Sequence, residues 1–239
     1  MQPDASAFYA SRPVRELFAA ELAALAPILA GVYGNFGLFL RAHPSLPATL
    51  PAHLLGTVIE LALDGRESCG GRLRCSPSAL PLASESCHLV VAQHVLECVD
   101  DPNECSAEFS RVLAPEGVAL VLGFNPVSLW RPWLAGEARN ASLALGPQSA
   151  RAWRQQFSRH GIEILQTRFV GAMSPWQHSV HGEAASLSAR RSMLGRVGAS
   201  WLLLARKRRS VLTPLRLRGS SRELSMNPRL APGAHRECA

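Results

Sequence analysis

The residues best placed to do chemistry are His94 and Glu97, which follow a short apolar run at residues 88–92. That run, HLVVA, is typical of a strand buried on both faces. Histidine and glutamate are side chains that take or give protons in catalysis. Because ligands of doubly wound sheets lie beyond the carboxyl ends of the strands, His94 and Glu97 are candidate catalytic residues. The alternative is that they are only polar residues at a strand end.

The elements that follow this pair predict a strand–helix–strand unit. Asp101 is a predicted N-cap, and Pro102 occupies the first helical position, where no N–H is needed. An apolar stripe at helical spacing comes next, formed by Cys105, Phe109, Val112 and Leu113. Pro115 and Gly117 are expected to end the helix, and residues 118–124 form the second strand. So short a unit predicts a right-handed crossover in a doubly wound α/β fold.

The same segment resembles the class I S-adenosylmethionine-dependent methyltransferases of the small type 11 kind. Around the fourth strand these proteins typically carry LPF, H-x-L-x-H, an Asp-Pro helix start and RVLKPGG. The counterparts here are Leu80-Pro81-Leu82, His94-Val95-Leu96-Glu97-Cys98, Asp101-Pro102 and residues 111–117, RVLAPEG. A narrower likeness to poorly characterised proteobacterial members rests on residues 123–130, 168–176 and 205–208. When these three segments are included, the resemblance covers residues 33–209.

The resemblance implies a fold, a cofactor and a reaction. The fold is α/β: a doubly wound, Rossmann-like, mostly parallel seven-stranded sheet with an antiparallel last strand. The cofactor is S-adenosylmethionine, and the reaction is methyl transfer to a small-molecule or macromolecular acceptor, with His94 or Glu97 as base. The cofactor-binding residues that it implies are Gly34, Gly37, Asp64, Ser76, Ala79, Leu80 and Gln93.

The glycine-rich loop departs from the family pattern. The family usually carries D/E-x-G-x-G-x-G after the first strand, because glycines let the backbone approach the cofactor closely. Here no G-x-G occurs, and Gly34 and Gly37 precede the apolar residues of this region. Ser76 stands where the family has an aspartate, and Asp64 is equally well explained as a turn residue. The alternative function is therefore a catalytically degenerate protein that keeps the fold for binding or scaffolding.

Charge distribution separates a balanced domain from a basic tail. The chain has 239 residues with 25 basic and 18 acidic side chains, hence a formal net charge of +7. From residue 205 onward nine basic residues face two acidic ones, so sixteen of each remain elsewhere. We expect a helical cap at 1–32, a methyltransferase-like domain at 33–209 and a disordered basic tail at 210–239. Contact with RNA through this tail is a further alternative.

Other composition features concern location and metal. The sequence has no apolar run near the roughly 18 residues that cross a bilayer, and its start lacks a basic signal region. Its six cysteines show no C-x-x-C pair, and no His/Cys cluster has zinc-like spacing. We therefore expect a cytoplasmic protein with no membrane span and no bound metal.

The remaining elements follow from periodicity and turn residues. The predicted helices lie at 11–32 and 147–160, and the predicted strands lie at 57–63, 71–75, 162–170 and 200–205. The last strand is expected to lie antiparallel beside 118–124. Residues 125–128 are interpreted as a turn, with Trp130 and Trp133 as aromatic anchors near a substrate mouth.

Overall fold

The structure, a computed structural model, describes residues 5–208 except 52, 72, 142, 144, 147, 148 and 177–197. The predicted basic tail at 210–239 lies outside the described residues. The elements in chain order are α1 Ala5–Ala10, α2 Arg12–Leu29, β1 Tyr33–Arg41, β2 Leu54–Leu63, β3 Cys69–Gly71, β4 Cys87–Gln93, α3 Pro102–Val112, β5 Leu113–Phe124, α4 Trp130–Asn140, α5 Ala150–Arg159, β6 Ile162–Val170 and β7 Ser200–Lys207.

The strands form one sheet in the order β3-β2-β1-β4-β5-β7-β6. Strands β2, β1, β4 and β5 are parallel, whereas β3, β6 and β7 pair antiparallel with their neighbours. The last strand, β7, lies between β5 and β6, so the predicted doubly wound sheet with an antiparallel last strand is confirmed. The strand order reverses between β1 and β4. Open α/β sheets bind ligands at such a switch point.

The predicted strand–helix–strand unit is present as β4, α3 and β5. The Asp101 side chain caps α3 by accepting hydrogen bonds from the backbone N–H groups of Asn103, at 2.8 Å, and Glu104, at 3.0 Å. Phe109 and Val112 of the predicted stripe are fully buried. The helix ends at Val112 because Leu113 already has extended backbone angles and begins β5. Local capping and the apolar stripe therefore determine this unit.

Helices α1 and α2 cover part of the sheet and its carboxyl edge. Leu25 and Leu29, in the second half of α2, pack with Phe39 and Leu89 on one face of the sheet. The first half of α2 instead packs beyond the strand ends, where the rings of Phe18 and His94 lie 4.8 Å apart. The predicted helix at 11–32 is confirmed as α2. No helix among the described residues is long and apolar enough to cross a membrane.

One local prediction needs correction. Strand β3 comprises Cys69–Gly71 rather than 71–75, because Cys75 pairs back with Cys69 as an isolated antiparallel bridge. Trp130 and Trp133 follow the predicted turn at 125–128 and belong to helix α4, where their rings meet edge to face at 5.5 Å. The stretch that contains Gly34 and Gly37 lies within strand β1. In addition, the described part of the connection between β1 and β2 contains no helix.

Candidate active site

His94 lies between two carboxylates at the carboxyl end of β4. Its Nδ1 atom is 2.9 Å from Oε2 of Glu97, and its Nε2 atom is 2.8 Å from Oε1 of Glu21. His94 and Glu21 are completely buried, and Glu97 is 4% exposed. Ionised carboxylates only accept hydrogen bonds, so a ring that bonds to one on each side donates from both nitrogens. The structure therefore holds His94 as an imidazolium.

The charges in this cluster depend on one another. Burial disfavours the charged imidazole, but the carboxylates of Glu21 and Glu97 outweigh it and raise the pKa of His94 to about 10. Burial also raises the pKa of Glu97, although His94 and a backbone N–H act against that shift. The N–H belongs to Phe124, whose nitrogen lies 2.6 Å from Oε1 of Glu97.

The backbone turns sharply at His94. This residue follows β4 directly and has a φ of +55°, a left-handed conformation that is uncommon for any residue but glycine. The conformation costs on the order of 1–3 kcal/mol and persists only where surrounding contacts impose it. The contacts here are the rings of Phe18 and Phe124 and a hydrogen bond from the His94 N–H to the Leu122 carbonyl. Such strain is commonly found at functional sites.

Two further polar side chains end the central strands beside this cluster. Arg41 is the last residue of β1, Gln93 is the last residue of β4, and the two are direct partners in the parallel ladder. Gln93 donates from Nε2 to Oε2 of Glu21 at 2.9 Å, and Arg41 donates to the Leu46 carbonyl. Nevertheless, Gln93 Oε1 and Arg41 Nε are buried without a hydrogen-bond partner among the described residues. The switch point therefore carries one unpaired acceptor and one unpaired cationic donor.

Asp64 directly follows β2, where the family resemblance implies a contact with the ribose. Its side chain is 57% exposed and forms an ion pair with Arg74, with 2.9 Å between the Arg74 Nη2 and Asp64 Oδ2 atoms. Exposed pairs of this kind contribute only about 0–1 kcal/mol. The carboxylate at the end of β2 can therefore exchange this partner for a ligand hydroxyl at little cost.

The predicted residues Ser76, Ala79 and Leu80 form a compact turn. The hydroxyls of Ser76 and Ser78 lie 2.9 Å apart, and the Ala79 N–H donates to the Ser76 carbonyl at 3.1 Å. Leu80 is buried, and its N–H donates to Oε2 of Glu108 at 2.9 Å. Ala79 by contrast is exposed. The turn has a fixed backbone with a partly exposed hydroxyl and one exposed small side chain.

Gly34 and Gly37 do not lie at the carboxyl edge. Gly34 is the second residue of β1, and an added Cβ there would come within 2.3 Å of the His88 side chain. Gly37 lies inside the strand, close to Leu55. The apolar residues 38–40 extend the strand beyond both glycines, so neither glycine lies in a loop after β1. Arg41, not a glycine, ends β1.

Sequence reasoning missed Glu21 and Arg41. The signal for Glu21 was present, since it falls on the same helical face of α2 as Leu17, Phe18 and Leu25, which are all buried. A carboxylate on a buried stripe needs a partner inside the protein. No comparable pattern marks Arg41, because only the tertiary structure shows that the chain ends a central strand there.

Comparison with known proteins points in one direction. Residues 59–121 match the family described as "Methyltransferase domain". The fold is similar to that of an S-adenosylmethionine-dependent methyltransferase from Thermotoga maritima, a suggested histamine N-methyltransferase. The two sequences are 14% identical, the match covers 85% of this chain and 95% of that chain, and the TM-score is 0.57. It is also similar to a Haloferax volcanii methyltransferase solved with its activator, with 13% identity, coverage of 82% and 91%, and a TM-score of 0.51. No curated protein matches the sequence.

Proposed function

We propose that this chain is a class I S-adenosylmethionine-dependent methyltransferase and that it transfers a methyl group to an acceptor bound beside His94. Its fold and the match of residues 59–121 support the proposal. The observation that carries the proposal is the convergence of Arg41, Gln93, His94 and Glu97 at the strand ends that flank the switch point. Ligands of open α/β sheets bind in that crevice. The acceptor is an unassigned small molecule or macromolecule with a protonated nucleophile.

The unpaired atoms at the switch point fit the amino-acid part of S-adenosylmethionine. Its carboxylate needs a cationic donor, which Arg41 offers, and its ammonium needs an acceptor, which Oε1 of Gln93 offers. Both atoms are buried, so each has an energetic reason to take a partner. We assign the amino-acid end to Arg41 and Gln93. The ribose and adenine are assigned to Asp64 and the turn of Ser76, Ala79 and Leu80, as the family resemblance implies.

Access to these residues requires movement of α1 and α2. Glu21 of α2 contacts both His94 and Gln93, and the Tyr9 ring of α1 stacks on His43 at 4.8 Å just beyond β1. Helices that move away from the edge of a sheet can admit a ligand and then exclude water again. In the proposal, α1 and α2 form a lid, and the described conformation is the closed one.

Opening of the lid changes the protonation of His94. Once Glu21 withdraws, Nε2 loses a charged acceptor and the pKa of His94 falls from its raised value. Glu97 still accepts from Nδ1, which holds the ring in place and fixes the proton on that nitrogen. Nε2 is then free to take the proton of the acceptor nucleophile. When bound, S-adenosylmethionine supplies an electrophilic methyl group, so the protein needs mainly to align the reactants and remove a proton.

Calorimetry and thermal shift with S-adenosylmethionine and S-adenosylhomocysteine test this assignment on the full chain. We expect one site per chain, and we expect Arg41→Gln to weaken binding of both ligands at least tenfold, or about 1.4 kcal/mol. The control is Arg12→Gln, which removes an exposed guanidinium paired with Glu16 and should bind as the natural chain does.

Two outcomes would count against the proposal. If neither ligand gives heat or a thermal shift at millimolar concentration, the chain is a scaffold or binding protein with a methyltransferase fold. If both ligands bind and Arg41→Gln binds equally well, the amino-acid end lies elsewhere. The predicted RNA contact through residues 210–239 stays a prediction, since that segment is outside the described residues.

A further inference from the structure

Two thiols face each other at the start of β3. The Sγ atoms of Cys69 and Cys75 are 3.2 Å apart, and both cysteines are free. Their backbones form a reciprocal pair, in which the Cys69 N–H donates to Cys75 at 2.8 Å and the Cys75 N–H donates to Cys69 at 3.0 Å. Hydrogen-bonded antiparallel pairs have Cα atoms about 5.5 Å apart, within the range that a disulfide spans. The two sulfurs therefore need to approach by about 1.2 Å to reach the length of a disulfide bond.

The two thiols differ in access to solvent. Cys69 is fully buried, whereas Cys75 is partly exposed. Burial, reinforced by the neighbouring Cys75, raises the pKa of Cys69 to about 12, so Cys69 is held as a protonated thiol. An oxidant from solvent therefore meets Cys75 first. Cys69 is placed to react in a second step.

We propose that Cys69 and Cys75 form a reversible disulfide when the protein meets a peroxide. The Cys75 sulfur attacks one peroxide oxygen, the O–O bond breaks, and Cys75 becomes a sulfenic acid with release of water. The Cys69 sulfur then attacks the Cys75 sulfur, the S–S bond forms, the S–O bond breaks, and the leaving hydroxide takes the Cys69 proton as a second water. The two cysteines lose two electrons and the peroxide gains them. A dithiol reductant reverses the reaction.

The bond would fix a loop that contacts a candidate cofactor-binding residue, Asp64. The loop between the two cysteines contains Arg74, whose guanidinium pairs with Asp64 at the end of β2. Cys75 also directly precedes Ser76, the first residue of the adjoining turn. Closing the loop would restrain both features. The disulfide itself does not depend on the proposed methyl transfer and is tested without it.

Differential alkylation of the full chain with mass spectrometry tests the proposal. Hydrogen peroxide is added to the native protein, free thiols are blocked, and the protein is digested with trypsin. Cleavage after Arg72 and Arg74 separates the two cysteines, so the bond appears as residues 67–72 linked to 75–111. Fragmentation should place the link at Cys75, and dithiothreitol should abolish it. The whole protein should lose about two mass units, the mass of the thiol hydrogens of Cys69 and Cys75.

Three cysteine variants distinguish a bond between Cys69 and Cys75 from bonds that involve other thiols. Cys238→Ser removes the cysteine of the tail and should leave the linked peptides unchanged. Cys75→Ser should leave Cys69 free to alkylate once the protein is denatured, and Cys69→Ser should stop at a sulfenic acid on Cys75 that reacts with dimedone. A Cys69 that stays fully alkylated after peroxide treatment, or a link from Cys69 to Cys87 or Cys105, would overturn the proposal. The linkage in the natural chain decides the matter even if a variant fails to fold.

Discussion

The Nε2 atom of His94 lies 2.8 Å from Oε1 of Glu21, although 73 residues separate the two in the chain. The contact joins the covering helix α2 to the end of the central strand β4. In the proposed mechanism, the same bond closes the candidate site and holds the proton on His94. This double role links protein stability, pH and ligand access.

We expect the free energy of unfolding to fall as the pH rises above about 6.5. The folded pKa of His94 is raised to about 10, so above its ordinary pKa the native state keeps a proton that the unfolded chain loses. The stabilisation is complete below about pH 6.5 and is lost as the pH rises through about 10, at no more than about 1.4 kcal/mol per pH unit.

Urea unfolding between pH 6.5 and 7.5 measures this slope. In the His94→Gln variant, the free energy of unfolding should change less with pH. Buried thiols such as Cys98, whose pKa is raised to about 12, act in the same direction only above the pH at which free thiols ionise, so the window excludes them. A natural chain whose stability does not change across this window would contradict the charged state assigned to His94.

Glu21→Gln should loosen the lid. The substitution keeps the size of the side chain but removes the carboxylate that offsets the cost of burying the imidazolium. The pKa of His94 should therefore fall. We expect a loss of about 1–3 kcal/mol of stability and faster hydrogen exchange in residues 5–29. Affinity for S-adenosylhomocysteine should rise several-fold, because less free energy is needed to open the site. Glu16→Gln in the same helix is the matched control, and equal exchange in the two variants would refute the lid.

Glu97→Gln should abolish most methyl transfer while the fold is kept. The amide oxygen can still accept from the Phe124 N–H, but its NH₂ group donates to Nδ1 of His94 and leaves the proton on Nε2. The ring then cannot accept a proton there, which predicts a loss of about 10²–10⁴-fold. Incorporation of labelled methyl groups from S-adenosylmethionine into cell extract measures it, with the exposed Glu163→Gln as control. Undiminished transfer would exclude Glu97 as the residue that orients His94.

Gly34→Ala tests whether this glycine serves the fold or the cofactor. The added Cβ would meet the His88 ring at 2.3 Å with a φ of +153°, so we expect a loss of about 1–3 kcal/mol in stability. The affinity for S-adenosylmethionine should be unchanged. Gly136→Ala is the control. Outside its own helix backbone and chain neighbours, no atom of the described residues lies within 4 Å of the added Cβ, and helix propensity predicts a gain of up to about 1 kcal/mol. Weaker binding without a loss of stability would restore Gly34 as a cofactor residue.

Local signals in the sequence predicted the segment from β4 to β5 well. The Asp101 cap, the Pro102 start and the apolar stripe with Phe109 act within a few residues, so they can be read without any knowledge of the rest of the fold. The choice of His94 and Glu97 as candidate catalytic residues also used a local signal, because both closely follow the apolar run of β4. They are three residues apart and form a hydrogen bond.

The sequence by itself therefore determined the fold class, the family resemblance and one half of the polar cluster. Only the tertiary structure decided that Glu21 completes that cluster and that Arg41, rather than a glycine loop, ends β1 beside Gln93. The physical reason is that burial and strand register are set by contacts between residues far apart in the chain. Glu21 becomes a partner of His94 only when α2 packs across the strand ends, and no local pattern specifies where that helix docks.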